Sequence, residues 1–124
     1  MNVVAALLRE ASRALACDER APERAIADYL ERRPLLLAAA ATIEGCADDL
    51  SVHLRDEEGH CLLSLYGLAW GYKGAGPRAL ALLLCDLMPA VFPDFESAIG
   101  YVSTLAPSSD WDLKVPTQQL PPQP

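Results

Sequence analysis

The sequence predicts an α+β domain: a small three- to four-stranded antiparallel sheet packed by helices, with an N-terminal three-helix extension. Three observations lead there. Apolar residues recur at helical spacing as far as residue 44, and the period then shifts from 3.6 to 2. The composition is 52% hydrophobic but only 6% aromatic, so alanine and leucine carry it, which favours helices over large sheets. Finally, Trp70-Gly71-Tyr72-Lys73-Gly74-Ala75-Gly76-Pro77-Arg78-Ala79-Leu80-Ala81 places three glycines and a proline directly before a leucine-rich helical pattern. Glycine at that density implies positive φ or close backbone approach at several points, and Pro77 suits a helix start.

The elements follow in order. Residues 2–17 read as a helix with Val4, Leu7, Leu8, Ala11 and Leu15 on one stripe and Asn2 as its cap. The pattern breaks at Cys17-Asp18-Glu19-Arg20. A second helix starts at Pro22, buries Ile26, Tyr29 and Leu30, carries Arg32 and Arg33 at its negative end, and stops at Pro34. Residues 35–44 read as a third helix, apolar nearly all round, with Gly45 in its C-terminal turn. Such a segment serves either as a buried core helix or as a self-association face.

Alternation of Leu50, Val52 and Leu54 with Ser51, His53 and Arg55 predicts a half-buried strand. Asp56-Glu57-Glu58-Gly59 is a hairpin loop, and the return strand runs His60–Tyr66. A third strand is expected over Leu68–Tyr72. The helix Pro77–Met88 buries Leu80, Leu83, Leu84 and Leu87 and ends at Pro89. Asp94 caps a last helix carrying Phe95, Ala98, Ile99 and Val102, which stops by Pro107. Trp111, Leu113 and Val115 alternate with charged residues in a short final strand. The organisation is thus a helical segment at 1–49 packed on an α+β core at 50–115, then a proline- and glutamine-rich tail at 116–124 expected to be disordered.

A 124-residue chain buries roughly two-thirds of its unfolded surface in one core. A net charge of −7 argues against direct binding to nucleic acid or an anionic membrane, and suits a protein partner with a basic surface. The apolar run Leu35–Ile43 is too short to span a bilayer, and Met1-Asn2-Val3-Val4 lacks a basic signal region, so a cytoplasmic location is expected. Cys17, Cys46, Cys61 and Cys85 form no C-x-x-C pair and read as structural thiols.

The glycine stretch resembles the hallmark W-G-Y-x-G-x-G-P-x-x-L-A of an uncharacterised family of small bacterial, phage and plasmid proteins. Phe92, Phe95, Trp111 and Leu113 fit the continuation of that pattern, which spans roughly residues 60–115; Lys73 stands where glycine is more frequent. The resemblance implies a small accessory protein of a mobile element, a class that commonly binds other proteins, including host defence machinery.

Catalytic patterns are missing. Ser64, Ser103, Ser108 and Ser109 sit in no G-x-S-x-G, and neighbouring His60 and Cys61 would point to opposite faces of a strand. His53 and His60, approaching across the hairpin with Glu57 or Glu58, would make a metal site; the plainer reading is solvated histidines, with no metal and no cofactor. Asp48, Asp49, Asp56, Glu57 and Glu58 are expected to form an acidic patch at one end of the sheet that steers a basic partner, against the plain alternative of solubility. A second candidate is a phosphate or nucleotide site at Lys73, Gly74, Gly76 and Arg78 on the helix N-terminus, against the alternative of a tight packing turn.

Overall fold

The structure, a computed structural model, describes residues 3–12 and 20–116. The expected cap at Asn2, the helical residue Leu15, Cys17 and the tail from 117 onward lie outside the described residues. The order is α1 (Val3–Ala11), α2 (Pro22–Ala39), β1 (Thr42–Cys46), β2 (Ser51–Arg55), β3 (Cys61–Tyr66), α3 (Ala75–Leu87), α4 (Phe95–Thr104) and β4 (Trp111–Lys114). The sheet is antiparallel in the order β3-β2-β1-β4, an α+β fold with four strands.

The N-terminal three-helix extension is corrected. The second and third expected helices are one, α2, running through Pro34. Proline inside a helix removes a backbone hydrogen bond and costs about 3 kcal/mol. Tertiary packing outweighs that cost here. Ile26, Tyr29 and Leu36 continue one buried stripe across Pro34, whose ring stays exposed. The helix ends at Ala39, and Thr42–Cys46 is a strand, so Gly45 is no helix cap. That strand is internal to the sheet, with β2 on one side and β4 on the other. The 49/50 boundary accordingly falls inside the turn joining β1 to β2.

Alternation sets the two faces. Ile43, Gly45, Val52, Leu54, Leu63, Leu65, Trp111 and Leu113 share the inward face through cross-strand pairing. Gly45 is required there because a Cβ would collide with the Trp111 indole. Trp111 packs edge-on against Trp70, with ring centroids 5.6 Å apart. Helix α3 is buried along almost its whole length and packs against α1, α2 and α4.

Leu68–Tyr72 is not a strand but an irregular connection, buried over Leu68–Trp70 and exposed at Tyr72. It is fixed by other contacts: Trp70 Nε1 donates to the Ser109 carbonyl at 3.3 Å, and Gly71 N–H donates to the Val102 carbonyl at 3.0 Å. Gly71 has φ +87°, and a Cβ there would lie 2.7 Å from Pro107 Cβ. Gly74 is extended and precedes α3, while Gly76 lies in its first turn. The helix therefore begins at Ala75, two residues ahead of Pro77. Asp94 caps α4 as expected, its side chain accepting from Ser97 N–H at 2.8 Å.

Candidate functional site

The turn between β2 and β3 is built by Asp56. Its Oδ1 accepts from the backbone N–H groups of Glu58 and His60, both at 2.9 Å, and Gly59 supplies the positive φ of +85°. The His60 backbone N–H, foremost, holds the Asp56 carboxyl below the usual carboxylate range. With Asp56 committed to the turn, Glu57 and Glu58 remain exposed.

This turn faces the end of α2. A groove of about 340 Å³ is lined by Leu37–Ala41, Asp56, Glu57, Glu58 and Val115. The last turn of α2 carries no basic residue, so the negative end of its dipole is not offset by its own side chains. Two sources of negative potential thus converge on one concave surface, set together because β2 returns the chain from the distal turn to the helix end. The register is held by Ala41, whose N–H donates to the Arg55 carbonyl at 2.7 Å and whose carbonyl accepts from Val115 at 2.9 Å.

The expected single acidic patch is not formed. Asp48 and Asp49 lie in the turn before β2, and Asp56, Glu57 and Glu58 in the turn after it. Leu50 and the five residues of β2 separate Asp49 from Asp56 by roughly 20 Å. Asp49 is engaged with Ser51, accepting from its N–H at 3.1 Å and its hydroxyl at 2.5 Å. The hydroxyl is the main cause of its lowered carboxyl pKa.

The histidine pair is not formed either. His53 lies in mid-strand opposite Ser64, whereas His60 sits beside Asp56 and Glu58 at 3.4 and 3.5 Å. One donor atom from each of Asp56, Glu58 and His60 falls within 4.8 Å of the others, an exposed set that three-ligand chemistry would use differently from the expected His53–His60 pair.

At the glycine loop, Lys73 and Arg78 are exposed, Gly74 precedes α3, and Gly76 is buried. The groove beside that helix start is lined by Gly76 and Tyr72 and by one residue of each charge, Arg20 and Asp49. Pro77 removes the third N–H of the helix.

Sequence reasoning missed two constellations because each depends on pairing across elements. One is buried: Asp86 on α3 accepts from Tyr29 Oη at 2.6 Å and from Arg33 Nε and Nη2 at 2.6 and 3.0 Å, joining α3 to α2. Burial, and secondarily Asp86, drives the Tyr29 phenol far above its ordinary pKa. The other lies on the outward sheet face. Ser64 Oγ is 2.8 Å from His53 Nδ1, and His53 Nε2 is 2.9 Å from Ser51 Oγ. Cys61 Sγ is 3.3 Å from Ser64 Oγ. On the same face Arg55 pairs with Glu44 at 2.6 Å.

No protein-family model, curated protein or solved structure matches the chain. Among the described residues, no helix is long and apolar enough to cross a membrane.

Proposed function

We propose that the chain is a non-enzymatic binding protein that takes a basic segment of a protein partner in the groove between the α2 C-terminus and the Asp56–Glu58 turn. The observation that carries this reading is the convergence of exposed carboxylates with a helix end that has no basic residue in its last turn. A Lys or Arg side chain there meets both the carboxylates and the negative pole of the helix. The apolar floor of Leu37, the alanines and Val115 accepts the aliphatic stem of such a side chain. The resemblance of Trp70–Ala81 to the W-G-Y-x-G-x-G-P-x-x-L-A proteins supplies the setting: a cytoplasmic accessory protein of a mobile element, with a component of a bacterial defence complex as its partner.

The test is affinity capture from host lysate with the wild type, with Glu57→Lys/Glu58→Lys, and with Asp48→Lys. Asp56 is left intact because it holds the turn. The double reversal is expected to lose a partner rich in Lys and Arg that Asp48→Lys retains. An identical partner set in all three proteins contradicts the proposal.

A further inference from the structure

We propose that Ser64 is a base-activated hydroxyl that accepts an acyl group from a small activated ester, with His53 taking its proton. The property is separate from the acidic groove: it uses the outward face of the sheet, where Asp112, Glu44, His53 and Ser64 form one row across all four strands.

With His53 neutral, the single hydroxyl proton of Ser51 sets the direction of each bond from Asp49 through Ser51 and His53 to Ser64. Asp49 is an acceptor-only carboxylate, and Ser51 gives it its single hydroxyl proton at 2.5 Å. Asp49 is exposed, whereas Ser51 is wholly buried. Its oxygen then accepts from His53 Nε2–H at 2.9 Å. A neutral imidazole protonated at Nε2 carries its lone pair on Nδ1, and the Ser64 hydroxyl is 2.8 Å from that atom and donates to it. Nucleophile, base and orienting group are therefore present in hydrogen-bonding order, with Ser51 interposed between the histidine and the carboxylate.

A β-bulge shapes the surroundings. Leu54 pairs with Leu63 and Arg55 with Cys61, so Leu62 is the extra residue on β3. The bulge turns Cys61 onto the face that Ser64 occupies, although three positions separate them. The Cys61 thiol donates to the Ser64 oxygen at 3.3 Å, since the Ser64 proton is already given to His53. Cys61 is exposed and Ser64 half-buried, so a reagent reaches the hydroxyl from solvent. Beside His53 lies a groove of about 400 Å³ whose lining includes Glu44, Arg55 and Asp112 but not Ser64.

In the step itself, a Ser64 Oγ lone pair attacks the ester carbonyl carbon and the hydroxyl proton passes to His53 Nδ1. The ester C–O bond breaks, and the departing alkoxide takes that proton back from His53 Nδ1; a weakly basic phenoxide leaves as the anion and His53 gives its proton to water. The products are O-acyl-Ser64 and the free alcohol or phenoxide. One acyl group per chain makes this a modification site, consistent with a protein that works by binding.

The experiment treats the full chain with p-nitrophenyl acetate, reading p-nitrophenolate release and mapping the acetylated residue by mass spectrometry. Ser64 is expected to carry one acetyl group. Cys61→Ala retains it, Ser64→Ala loses it, and His53→Ala slows its formation about a hundredfold or more. Acetylation at Cys61, a lysine or the N-terminus with Ser64 unmodified overturns the proposal, as does equal Ser64 acetylation in wild type and His53→Ala.

Discussion

Replacing Asp86 by asparagine tests how α2 is held against α3. The Asp86 side chain is 4% exposed and accepts three hydrogen bonds, two of them from the Arg33 guanidinium. Asparagine keeps the shape but presents one acceptor oxygen, and in either orientation its amide hydrogens oppose an Arg33 N–H. Breaking a buried ion pair by removing one charge costs about 3–5 kcal/mol. The Arg33 side chain is 33% exposed and can recover water on release. That lowers the expected loss to about 2–3 kcal/mol, or roughly 10 °C in Tm for a chain of this size. Urea unfolding followed by the fluorescence of Trp70 and Trp111 measures it directly. The paired change Arg33→Met/Asp86→Leu is expected to be less damaging than the sum of its single changes, because both charges leave together and only the Tyr29 hydroxyl loses its partner. An Asp86→Asn midpoint indistinguishable from wild type, or a paired variant no better than the sum of its single changes, refutes the reasoning.

Three further outcomes are expected. Gly71→Ala forces a side chain into φ +87° and against Pro107, and should lower stability by about 2 kcal/mol or more in the same urea assay. Burial, foremost, pushes the Cys85 thiol up from 9.0 to about 11; the folded pKa exceeds the unfolded one, so its stabilising contribution is whole below about pH 9 and fades as pH rises through 11. Urea midpoints across that window should fall less steeply in Cys85→Ala than in wild type. Inorganic phosphate and nucleotides should leave the Tm of both the wild type and Lys73→Ala unchanged, whereas a shift in wild type alone would restore the glycine-loop site.

The elements legible in the sequence were those whose signal is local. The Asp94 cap, the Gly59 turn, the leucine face of α3 and the alternation from Trp111 to Lys114 each rest on a few adjacent residues. What failed depended on distant partners. Pro34 reads as a stop, but the packed stripe on either side of it carries the helix through. The alanine run hid Thr42–Cys46, although Thr42-Ile43 followed by alternation was a weak strand signal. Trp70 and Tyr72 suggested a strand, yet the chain there is tethered singly to residues from 102 onward and joins no ladder. The acidic residues were visible, but only the strand directions separate Asp48 and Asp49 from the Asp56–Glu58 turn and set that turn against a helix end. The link from His53 to Ser64 was hidden for the same reason: it is a register contact, with Cys61 added by a bulge that no pattern of alternation announces.

The proposed function confines recognition of a basic segment to the groove between the α2 C-terminus and the Asp56–Glu58 turn. Titrating the isotopically labelled protein with a short arginine-rich peptide, and following its backbone amide resonances, tests that most directly. Shifts are expected at Ala38–Ala41 and Asp56–Glu58, weakening as the Debye length shrinks from about 10 Å in roughly 0.1 M salt to about 3 Å in roughly 1 M. Shifts centred instead on Asp48–Leu50 or Lys73–Arg78, or none at either salt concentration, would contradict it.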